Sequence, residues 1–205
     1  MRGPAPRLAA ILAAAVLAAP SLGGGDPRAP VEKLHATLEQ VMKRADSLGF
    51  DGRFELLDPV LASAYDLEWM AAKSLGRHWK KLSMDERARW LELFRKFTVS
   101  TYADRFDGFS GEHFEVLSQE ESIQGTILVR SRIVRPENEP VELNYRVRPR
   151  DEGFRIIDVY LEGTVSELAL RRSDYSALVK RDGFEALVVA VEEKIEAARR
   201  GTDSE

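Results

Sequence analysis

The chain has 205 residues, 44% hydrophobic and 31% charged, a globular composition that suits one domain with at most a small appendage. Thirty basic residues against 34 acidic ones leave a formal charge of −4, which excludes the basic excess of a nucleic-acid-binding face. There is no cysteine, which excludes disulfides, thiolate metal sites and a lipidated cysteine anchor and leaves the fold to rest on its core.

The N-terminus reads as an export signal. Arg2 and Arg7 precede the apolar run LAAILAAAVLAA, Leu8–Ala19, and small and turn-forming residues follow in PSLGGGD. The run is shorter than the roughly 20 apolar residues a spanning helix needs, so a cleaved signal over residues 1–25 is expected, and with it a periplasmic protein. Its removal deletes two arginines and takes the net charge from −4 to −6. Residues 26–30 form a lead-in, residues 31–199 the domain and residues 200–205 a tail.

VEKLHATLEQVMKRA, residues 31–45, places Val31, Leu34, Leu38, Val41, Met42 and Ala45 on one helical stripe. A helical stretch over 50–65 is expected to break near Pro59. Asp66 can cap DLEWMAAKSL, which Gly76 ends. Ser83 and Glu86 have the spacing of a capping box, and the helix they open runs to about Arg105. DGFSGE then breaks the chain.

Four strand candidates follow, at 113–118, 125–135, 140–148 and 154–163. The third alternates: Val141, Leu143, Tyr145 and Val147 on one side, Glu142, Asn144, Arg146 and Arg148 on the other. The short turns PENEP and PRDEG between strands imply antiparallel neighbours. Residues 164–199 return to helix, with a break at Arg181-Asp182-Gly183. The expected fold is α+β: a four-stranded, possibly five-stranded, antiparallel sheet covered on one face by N- and C-terminal helices.

Catalytic sets are sparse. His35, His78 and His113 lie in different elements without a ligand-spaced partner, so no metal site and no cofactor is expected. No phosphate loop, dinucleotide fingerprint or nucleophile elbow is present. Asp158, among Ile156, Ile157, Val159 and Tyr160, is the one suggestive acid; a backbone-bonded carboxylate is the simpler reading, and a base in a cleft, with Tyr160 beside it, the alternative.

The run YDLEWMAAKSLGRHWKKLSMDERARWLELFRKFTVSTYADRF carries Tyr65-Asp66, Met70, Leu75-Gly76, Trp79, Trp90, Phe94, Phe97 and Tyr102. After it come FEVL at 114–117, VRSRIVRP, VELNYRVRPRDEGFRIIDVYLEG, and Tyr175, Gly183-Phe184 and Leu187. This ordered set, over about residues 31–197, resembles the MlaC/toluene-tolerance family of periplasmic lipid-binding proteins, and within it the hopanoid-associated HpnM branch. The resemblance implies a carrier of a membrane lipid, hopanoid or phospholipid. It implies as partners an ABC-type transport complex of the inner membrane and an outer-membrane acceptor.

It also implies that lipid tails lie between sheet and helices, and the apolar patterns lead to the same geometry. Val129, Leu143, Tyr145, Val147, Ile157, Val159 and Leu161, followed by Val165 and Leu168, are expected to form one wall of an elongated apolar slot. Leu67, Met70, Leu75, Trp79, Trp90, Phe94, Phe97, Tyr102 and Phe106 form the other. Arg171 and Arg172 are candidates to meet an anionic head group. Two other readings compete: a small α+β enzyme acting on a polycyclic or acyl lipid, and a membrane-complex adaptor with a filled core and an exposed apolar patch.

Overall fold

The computed structural model describes residues 25–201. The expected export signal lies, except for Gly25, outside the described residues, as do residues 202–205.

Helix α1, Ala29–Lys43, opens with Pro30 in its first turn, where a missing N–H costs nothing. Its expected stripe is buried throughout, with Val31, Leu34, Leu38 and Val41 fully enclosed. Helix α2, Ala45–Ala64, departs from the expected break at Pro59. Its one non-helical residue is Gly49, with φ +60° and ψ −176°, a backbone that only glycine adopts without strain. Pro59 is tolerated because it is exposed, as is Glu55 four residues earlier, whose carbonyl loses its helical partner on the solvent side.

Asp66 caps α3, Leu67–Leu75, by accepting the Trp69 N–H at 3.3 Å. A 3₁₀ turn, Gly76–Lys81, leads to α4, Met84–Arg105. The capping box forms as the spacing predicts: the Glu86 N–H donates to Ser83 Oγ at 3.2 Å and the Ser83 N–H to Glu86 Oε2 at 2.7 Å.

The strands are β1 His113–Glu121, β2 Ile127–Arg135, β3 Asn138–Arg150, β4 Gly153–Leu161 and the two-residue β5 Val165–Ser166. They pair in chain order, all antiparallel. Between β4 and β5, Glu162 and Gly163 both have positive φ, 49° and 76°, and the Thr164 N–H donates to the Leu161 carbonyl at 3.2 Å, a tight three-residue connection that pairs Leu161 with Val165. Helices α5, Glu167–Asp182, and α6, Phe184–Arg200, close the chain, separated at Gly183 as expected.

The register puts Val129, Tyr145 and Val159 side by side, with Leu143 opposite Leu161 and Ile133 opposite Val141. This face is covered by α1, α2, α3 and α5, while α6 packs outside on α4 and α5. The free edge of β4 is covered as well: the Asp66 N–H donates to the Ile156 carbonyl at 2.8 Å, and Tyr65 bridges Ile156 in parallel. An unpaired edge would otherwise template association.

His35 lies on the buried face of α1, stacked 4.3 Å from Phe114, and its Nε2 is 3.1 Å from the Tyr145 hydroxyl. Burial lowers its pKa to about 4. The unfolded imidazole titrates near 6.5, so between about pH 6.5 and 4 the unfolded chain takes up a proton that the folded one refuses. Stability therefore falls as pH falls through this window, by about 3 kcal/mol in all. Melting curves of wild type and His35→Gln should diverge in slope over this window, the variant being the flatter.

Candidate functional site

The inward stripe of α4, Trp90, Phe94, Thr98, Tyr102 and Phe106, advances in steps of four residues, and each step overshoots the helical turn by about 40°. From Trp90 to Phe106 the accumulated rotation is about 160°, so the two ends of the stripe face different neighbours. Trp90 faces the helical layer. Its indole N–H donates to the Ala71 carbonyl at 3.1 Å, and its ring meets Tyr175 edge-on at 5.4 Å and Phe184 at 6.3 Å. Tyr102 and Phe106, stacked 5.7 Å apart, face the sheet.

There the last two turns of α4 stand off from the strands and leave an apolar cleft of about 270 Å³. Tyr102 and Phe106 form its helical wall, with Thr101 and Arg105. Ile133, Val141, Leu143, Val159 and Leu161 form its sheet wall, and Arg135 and Arg171 complete it. A smaller cavity of about 30 Å³ continues inward between Tyr65, Met70, Thr98, Glu167 and Leu168. Tyr102, Val159 and Arg171 border both spaces and form the partition between them.

The partition is tied to its surroundings. The Tyr102 hydroxyl hydrogen-bonds that of Tyr65. Burial raises the pKa of both phenols, which keeps them neutral. The Arg171 guanidinium lies 4.9 Å from the centre of the Phe97 ring and 5.8 Å from that of Phe94, a cation–π seat that aims its charge along the cleft wall.

Of the residues expected to line a slot, Tyr102, Phe106, Leu143, Val159, Leu161 and Arg171 border the cleft, and Met70 and Leu168 the inner cavity. Leu75, Trp90, Phe94, Val129, Tyr145 and Val147 are fully enclosed in the packed core. Leu67 borders an open, charged groove with Glu68, Arg95 and Arg150. Trp79 lies in the 3₁₀ turn beneath the Arg87 guanidinium, 5.4 Å away. Phe97 sits under Arg171 and borders an open depression with Arg105 and Lys194. Val165 is exposed. Arg172 is exposed on α5, with its Nε against Gly76.

Ile157 is displaced by a bulge. Val147 pairs with Ile156 while Arg146 pairs with Asp158, so Ile157 is the unpaired extra residue and Ile156 takes the core-facing position that strict alternation assigns to Ile157. The slot expected along the whole stripe is thus confined to one end of the sheet.

Asp158 is a structural carboxylate. Oδ1 accepts the N–H groups of Val159 at 2.9 Å and Leu168 at 3.1 Å, and Oδ2 accepts the Ser166 hydroxyl at 2.7 Å. It thereby fastens the bulged strand to the start of α5, where an anion also meets the positive helix end. Asp158→Ala should cost about 3 kcal/mol, since two backbone donors lose a charged acceptor; Asp158→Asn, which keeps one acceptor oxygen, should cost less. Denaturant titration of the two variants measures both.

Sequence reasoning missed Tyr65, Thr98, Thr101, Arg105, Ile133, Arg135 and Glu167. Tyr65 is shown only by its docking on β4, and most of the others by which strand ends the last turns of α4 approach. Among the described residues no group of three or more His, Asp or Glu side chains is gathered to hold a metal, and no helix is long and apolar enough to cross a membrane.

The profile of the MlaC protein family matches residues 32–193, nearly the whole described chain. No curated protein matches significantly. Among solved structures, the chain is similar to a phospholipid-binding protein from Ralstonia solanacearum in complex with a phospholipid. The TM-score is 0.74 at 19% identity, over 85% of this chain and 99% of that one, a likeness of fold.

Proposed function

The chain belongs to the MlaC family, and from that premise we propose that it is a non-catalytic lipid carrier of the periplasm, exported with loss of residues 1–25. It exchanges a membrane lipid with an ABC-type transport complex. The observation that carries this reading is the apolar cleft between α4 and the sheet. It lies on the face where the resemblance places lipid tails, and the structural neighbour is a phospholipid-binding protein.

A carrier is required on energetic grounds. Each methylene exposed to water costs about 0.8 kcal/mol, so a lipid with twenty to thirty buried carbons meets a barrier on the order of 20 kcal/mol. The cleft removes part of this. Its volume, about 270 Å³, equals roughly nine waters at about 30 Å³ each. Filled with a comparable number of methylenes, it offsets about 7 kcal/mol, enough for part of one chain. Joining the inner cavity, about 30 Å³, adds room for roughly one more methylene, so a whole lipid requires the helices around Tyr102 to move away from the sheet. This favours flexible acyl chains over a rigid hopanoid skeleton, which cannot enter a narrow space by stages.

Asp158 has both oxygens bonded to structural donors, which supports a structural role for it over that of a catalytic base. Native mass spectrometry of protein purified from a lipid-containing host tests the proposal. A bound phospholipid is the expected result. A bound triterpenoid would reassign the ligand, and a protein that is empty and takes up no added lipid would overturn the carrier reading.

A further inference from the structure

The cleft is apolar along its walls, yet three of its bordering residues are arginines, one from each of α4, β2 and α5: Arg105, Arg135 and Arg171. No acidic side chain borders it; Glu167 borders the inner cavity with Arg171, and Asp104 and Asp107 border the separate depression on the other side of Arg105. Among the described residues none of the three arginines forms an ion pair. Elsewhere on the sheet the arginines are paired: Arg130 with Glu120 and Arg132 with Glu115 on the other face, and Arg148 and Arg150 with Asp66 at the start of α3.

Two of the three are held in place by contacts that leave their charge free. Arg171 is seated over Phe97. Arg135 donates one guanidinium N–H to the Glu139 carbonyl at 2.8 Å, while its buried Nε has no partner. A buried donor without an acceptor is uncommon in a folded protein. Arg105, in the last turn of α4, also complements the negative end of that helix, so its position alone proves little; its convergence with the other two on one apolar opening is the significant feature.

We propose that Arg105, Arg135 and Arg171 form a cationic rim that selects lipids with a net negative head, the head resting against the rim and an acyl chain entering the cleft. This rests on the carrier reading and deepens it: the preferred cargo is an anionic phospholipid, above zwitterionic phospholipids and uncharged polycyclic lipids. Forked guanidinium donors suit phosphate oxygens. A zwitterionic head brings its own ammonium toward three cations and loses part of that attraction.

The test is a competition. The protein is equilibrated with mixed vesicles of equal parts phosphatidylglycerol and phosphatidylethanolamine of matched chains, and the bound lipids are counted by native mass spectrometry. Partly exposed charge pairs each change affinity a few-fold, so the wild type should prefer phosphatidylglycerol by about tenfold. The triple variant R105Q/R135Q/R171Q should bring the ratio near one, and the triple lysine variant should keep most of the preference. Because two lipids compete in one sample, partial unfolding changes the total bound and leaves the ratio intact. Binding of both lipids without preference, or a preference that survives in the glutamine variant, overturns the rim and leaves the carrier reading standing. Suppression of the preference by glycerol 3-phosphate at equal concentration assigns the rim to free anions and overturns it as a lipid selector. Failure to bind either lipid overturns both readings.

Discussion

Trp90→Ala is expected to cost about 4 kcal/mol, the usual range for deleting a large buried aromatic being roughly 3–5 kcal/mol. Trp90 is fully enclosed and touches Phe94, Tyr175 and Phe184, so it joins α4 to both C-terminal helices. It also supplies the donor for the Ala71 carbonyl in α3. Removing it leaves a cavity where three helices meet and one carbonyl without its partner. For a domain of this size each kcal/mol lowers the melting temperature by about 2–4 °C, so a fall of about 8–16 °C is expected. Trp90→Phe separates the two effects: most of the packing remains and only the hydrogen bond goes, for about 1–2 kcal/mol. A calorimetric melt of the two variants would contradict this account of the core if alanine proved no worse than phenylalanine. Against a total stability of roughly 5–15 kcal/mol, the loss is between about a quarter and most of the whole.

The same residue shows where reading the sequence stops. The stripe Trp90, Phe94, Tyr102 and Phe106 is legible as an inward-facing pattern. Periodicity reports that a side chain leaves water; it does not report whether the space it enters is filled. The slow rotation of the stripe about α4 decides that: its first half meets α3, α5 and α6 and is packed, and its second half meets the sheet and is not. That outcome depends on where α5 and α6 return, a long-range fact without a local signature.

Local signals fared better. The α1 stripe, the capping box at Ser83 and Glu86, and the break at Gly183 are set by neighbours within four residues and came out as the pattern predicts. The alternation of β3 holds for Leu143, Tyr145 and Val147, but Asn144 on the opposite side is buried as well, its Oδ1 accepting the Ser131 N–H at 3.0 Å. The alternation fails to carry into β4 because one bulged residue reverses the parity, replacing Ile157 by Ile156. Pro59 misled for a related reason. A proline breaks a helix only when the orphaned carbonyl has nowhere to turn, and whether position 59 faces water is a tertiary property.

If the cleft is where a lipid chain enters, filling it from the sheet side must abolish loading without loss of fold. Val141 is the position for this: half-buried at the start of the cleft-facing part of β3, opposite Ile133 and on the cleft wall. Val141→Trp places an indole, which covers roughly 150–250 Å² of apolar surface, in a space of only about 270 Å³. A chain that loses contact for four or five methylenes forfeits about 3–4 kcal/mol, so lipid affinity should fall on the order of a hundredfold. The indole itself gains burial there, so the melting temperature should hold or rise. Val189→Trp, on an exposed position of α6, adds the same side chain away from the cleft and should leave loading unchanged. Transfer of a fluorescent phospholipid between vesicle populations measures all three proteins. Equal transfer by Val141→Trp and wild type would place the lipid elsewhere, because no arrangement of an acyl chain in this cleft is compatible with an indole filling it.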